Sequence, residues 1–78
     1  MKKELFNTLS MRFSAYNEVY RETDNLEWKA LNKEYMIKTW KEICEHEDVK
    51  KIKHIHFNSN ETDVENMRTL INLANREL

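Results

Sequence analysis

The chain has 78 residues, which suits one domain spanning 1–78 and is marginal for a self-sufficient core. It carries 13 basic and 14 acidic residues, so its overall charge points neither to a nucleic-acid binder nor to an acidic mimic of nucleic acid. It has no Gly and no Pro, which disfavours tight hairpins, phosphate-cradling loops and nucleophile elbows and favours helices joined by Asn, Asp and Ser turns.

The first element is expected over about 3–22. Leu5, Phe6, Leu9, Phe13, Tyr16 and Tyr20 share one helical face, with Val19 at its margin and Met11 and Ala15 outside it. Residues 9–16 also alternate as a strand would, with Leu9, Met11, Phe13 and Ala15 on one side. The helical pattern runs longer and includes both ends, so helix is the reading adopted. Lys2 and Lys3 precede no long apolar run, so no secretory signal is expected.

Thr23 to Asn25 turns the chain into the second helix, expected over about 25–47. Asp24 is the expected cap, with Glu27 three residues on to complete a capping box. This helix has two apolar stripes. The broad one holds Leu26, Ala30, Met36, Ile37, Trp40, Ile43 and Cys44; the narrow one holds Trp28, Leu31 and Tyr35. A helix at the edge of a globule needs only one such stripe, so this one is expected to be central, with contacts on two sides.

A short connecting element follows at 49–57. Asp48 could cap a short helix with Val49, Ile52 and Ile55 on one side. Alternatively 50–57 is a strand, because Ile, Phe and His are mediocre helix formers. Its only partner within the chain would be 9–16, and that pairing defines the alternative α+β fold. Residues 58–63 form a polar turn, in which Thr62 and Glu65 make a second expected capping box. The last helix, about 63–77, repeats Val64, Met67, Ile71, Ala74 and Leu78 at steps of three and four, with Leu70 widening the stripe. The expected fold is therefore all-α: a small bundle of three long helices.

Three groups of residues are candidates for function. Trp28, Leu31 and Tyr35 form a second apolar stripe of the residue types that dominate binding hot spots, and so are candidate partner-binding residues. The plainer alternative is that the first helix covers one stripe and the last helix the other. Lys50, Lys51 and Lys53, with His54 and His56, could track a phosphate backbone. That cluster holds no Arg, and Glu42, Glu45, Glu47 and Asp48 lie just before it, as on an ordinary solvated face. Cys44, His46, His54 and His56 carry metal-ligating atoms, but Cys44 and His46 stand about 200° apart on a helix and the spacing matches no zinc module. No metal, cofactor or catalytic residue is expected, since nothing orients a Cys–His pair or supplies an oxyanion site.

Cys44 is the only cysteine, so no intramolecular disulfide can form, and a lone thiol fits a reducing, cytoplasmic setting. No stretch is long enough to span a membrane. The expectation is a non-enzymatic protein that binds another protein, a second copy of itself included. Its Lys, Asn, Glu and Ile content suits a regulator, adaptor or inhibitor of phage or mobile-element origin. The competing expectation is a nucleic-acid-binding regulator that uses 50–56.

Overall fold

The structure, a computed structural model, describes residues 2–78 and so leaves Met1 of the expected domain outside. The fold is all-α. Helices α1 (Lys2–Glu22), α2 (Leu26–Glu45) and α4 (Val64–Glu77) are long, and α3 (Glu47–Lys50) is a single turn. The alternative α+β fold is not formed: 9–16 lies inside α1, 51–57 is irregular, and no strand occurs among the described residues. Once 9–16 is helical, 50–57 has nothing to pair with, so extended backbone there would leave its amides and carbonyls unsatisfied.

Helices α1 and α2 form an antiparallel hairpin. Near its open end Phe6 packs edge-on against His46, with ring centroids 6.0 Å apart. At mid-length Tyr16 meets Tyr35 at 5.1 Å. At the turn the Lys29 ammonium lies 4.4 Å from the Tyr20 ring centroid and donates to the Tyr20 carbonyl at 2.6 Å. The turn places the cap one residue later than expected. Asn25, not Asp24, accepts from the amides of Glu27 and Trp28, while Thr23 accepts from the Asn25 amide.

Helix α2 stops at Glu45, two residues short of the expected end, because His46 turns to an extended conformation. Its Nδ1 then accepts from the Asp48 amide and caps α3. The second expected box is also displaced. Asp63 caps α4 by accepting from Glu65, and Glu61 takes the amides of Thr62 and Asp63. Those amides and the Asn66 side chain hold the Glu61 carboxyl below its ordinary pKa, the Asp63 amide contributing most.

Helix α4 starts beside Asn17, Tyr20 and Lys33 and ends where Glu77 meets His54 at 2.9 Å, so it lies along one side of the hairpin. The core gathers Phe6, Leu9 and Phe13 of α1, Met36, Trp40 and Ile43 of α2, Val49 of α3, and Val64, Met67, Ile71 and Ala74 of α4. Each of these last four was on the expected stripe. Asn17 is also buried, and its side-chain oxygen has no hydrogen-bond partner among the described residues. The irregular segment closes the core's edge: Phe57 lies 6.2 Å from Trp40, and the Trp40 indole donates to the Asn58 carbonyl at 2.7 Å.

Candidate interaction surface

Both neighbours of α2 pack on its broad stripe, where Met36, Trp40, Ile43 and Cys44 are buried, and α1 also reaches Tyr35 of the narrow stripe through Tyr16. That stripe is covered only in part: Leu26 is 79% exposed, and Ala30 is exposed too, because the first turns of α2 reach past the start of α4. The narrow stripe stays open to solvent, with Trp28 59%, Leu31 42% and Tyr35 37% exposed. The plainer alternative, in which α1 covers one stripe and α4 the other, is met only at Tyr35, where α1 touches the narrow stripe, while Trp28 and Leu31 stay exposed.

The narrow stripe belongs to a larger face. Trp28, Leu31, Tyr35, Lys38 and Glu42 follow steps of three, four, three and four along α2, which keeps them in one row. Leu5, Arg12 and Val19, seven apart, run beside them on α1. Leu5 and Val19 are both exposed. The two rows meet where Tyr16 touches Tyr35 and where Arg12 pairs with Glu42 at 3.4 Å. A shallow depression between the rows is lined only by α1 and α2, whereas α4 lies along the other flank of the hairpin, beside Asn17 and Arg21.

The face differs along its length. Its turn end is an apolar projection of Trp28, Leu31 and Val19. The Trp28 indole N–H has no acceptor among the described residues. Its open end holds a groove of about 440 Å³ lined by Leu5, Leu9, Glu42, Glu45, His46 and Glu47. Leu5 and Leu9 give it an apolar lining, and three carboxylates border it. Neither the groove nor Arg12 was among the residues singled out from sequence. Their signal was there in the seven-residue spacing of Leu5, Arg12 and Val19, which the broader apolar face of α1 masks.

The other candidates stand apart from this face. Lys50 pairs with Glu45 at 2.9 Å and Lys51 with Asp48 at 3.7 Å. Of the three lysines, only Lys53 has no ion pair among the described residues, so the cluster presents little net positive charge. Cys44 is buried, His46 caps α3, His54 meets Glu77, and His56 is exposed. Among the described residues no three His, Cys, Asp or Glu side chains converge to hold a metal. Burial, reinforced by the Glu45 charge, pushes the Cys44 thiol up to about 11, so it stays protonated at neutral pH and is a poor nucleophile. No described helix is long and apolar enough to cross a membrane.

Comparison with protein-family models, with curated proteins and with solved structures finds no match for this chain.

Proposed function

We propose that the chain acts by binding another protein through the α1/α2 face centred on Trp28, Leu31 and Tyr35. One observation carries this reading. The chain buries a continuous core drawn from all four helices, yet leaves three large apolar side chains in one row at the solvent surface, with Val19 exposed towards the same end of the hairpin and Leu5 towards the other. Scattered exposed apolar residues are ordinary, but a contiguous row that includes Trp and Tyr has the composition of a binding surface. A module of this size and shape works by occupying its partner, as a regulator, adaptor or inhibitor does. The lone, protonated thiol suits a reducing, cytoplasmic setting.

The test is affinity capture from an extract of the source cells. Baits are the wild-type chain, the double variant Trp28→Ala/Leu31→Ala, and Lys53→Ala as a surface control. Proteins retained by wild type and control but lost on the double variant are the expected result. Identical sets on all three baits would refute the reading.

A further inference from the structure

We infer that the partner seated on this face is a second copy of the chain, arranged so that Trp28 of each copy enters the Leu5/Leu9 groove of the other. The inference rests on reading the face as an interaction surface and adds the identity and orientation of what covers it.

The first argument is self-complementarity. A two-fold symmetric interface pairs each element of one copy with its complement on the other, so both must lie on the same face. Here they do, at opposite ends. Trp28 and Glu45 are separated by seventeen residues of α2, or about 26 Å of helix. Reversing one hairpin over another brings each projection onto the opposing groove and makes two equivalent contacts at once.

The chemistry of the two ends also matches. An indole is a large apolar body with one N–H donor and no acceptor. The groove supplies Leu5 and Leu9 for the ring and Glu42, Glu45 and Glu47 as acceptors at its border.

The position of the axis follows from the same pairing. The midpoint between Trp28 and Glu45 falls between Met36 and Ile37 of α2, so the two-fold axis passes near the Tyr16–Tyr35 contact, between the Trp28 end and the groove end of the face. Area agrees as well. Two helices of about twenty residues present a face about 30 Å long and about 20 Å wide, or roughly 1,200 Å² for two copies, the lower bound for a stable interface.

Sedimentation equilibrium across about a hundred-fold range of concentration tests this, with Trp28→Ala removing the projection and Leu5→Glu placing a carboxylate in the groove. Both positions are exposed, so both variants keep their helical circular dichroism. Wild type is expected to be a dimer that dissociates on dilution, and each variant should raise the dissociation constant at least about ten-fold. An equimolar mixture of the two variants should recover heterodimer, because it retains one intact projection and one intact groove that meet. Wild type that stays monomeric throughout overturns the second copy as partner, while face-dependent capture of a different protein would leave the broader reading standing. A dimer indifferent to both substitutions, or variants that show no recovery on mixing, overturns the arrangement.

Discussion

The indole N–H of Trp40 donates to the main-chain carbonyl of Asn58 at 2.7 Å and ties the irregular segment to the centre of α2. Trp40 is fully buried, and Phe57 packs 6.2 Å from its ring. Trp40→Ala should cost about 3–5 kcal/mol, a large part of the stability of a chain this small. Trp40→Phe keeps a smaller aromatic ring but removes the indole donor, so the Asn58 carbonyl accepts from the Glu61 amide alone, and should cost about 1–3 kcal/mol. Urea denaturation of both variants measures the difference. Equal losses would mean that the retained ring contributes nothing and that the hydrogen bond accounts for the whole effect.

What could be read from the sequence, and what could not, follows from the range of each physical signal. Periodicity is local and strong in α4, where Val64, Met67, Ile71 and Ala74 are all buried as expected. Periodicity also separates the broad stripe of α2 from the narrow one. It says nothing of how far along a stripe the neighbouring helix extends, which is why Leu26 and Ala30 lie exposed on a face that buries Trp40. In 50–57 the residue types favour a strand, but strand formation depends on a distant partner, and the helical state of 9–16 removes it. Buried Asn17 could not be anticipated, because a polar residue inside an apolar arc gives no signal of its own. The Leu5/Leu9 groove is built by side chains of two helices and depends on how they are aligned.

Cap positions were displaced by one residue at both α2 and α4, since adjacent residues there have similar capping propensity and the turn decides between them. This yields a contrast at the first turn of α2. Asn25→Ala removes the acceptor for two amides and should cost about 1 kcal/mol. Asp24→Ala should stay within about 0.5 kcal/mol, because Asp24 makes no capping bond. Thermal melts of the two variants decide the matter, and a larger loss at Asp24 would reassign the cap.

Nucleic-acid binding by 50–56 should be weak and easily lost in salt. Lys50 and Lys51 already face Glu45 and Asp48, so engaging phosphates would first break those pairs. The logarithmic salt slope should therefore be about one, set by Lys53, rather than about three. Fluorescence anisotropy with a labelled duplex at several salt concentrations gives the slope. Tight, sequence-selective binding at physiological salt, abolished by the three Lys→Ala substitutions, would instead establish the competing nucleic-acid reading.

The buried thiol of Cys44 makes stability fall at alkaline pH. Burial first, and the Glu45 charge second, raise its pKa from 9.0 to about 11 in the folded chain. The unfolded chain exposes the thiol and releases its proton near the ordinary value. Between about 9 and 11 the folded state therefore holds more proton than the unfolded state, and stability declines as pH rises. The contribution is complete below 9 and is lost progressively as pH passes through the folded value. A shift of this size corresponds to roughly 2–3 kcal/mol at most. Tyr and Lys side chains titrate in the same interval, so the measurement is a difference between wild type and Cys44→Ala. The substitution removes a small buried group, which lowers stability by an amount that does not depend on pH. Denaturant titrations at pH 8, about 9.5 and about 11 should show the wild-type advantage shrinking as pH rises. An advantage that holds constant across that interval would mean that the thiolate is tolerated at its buried site.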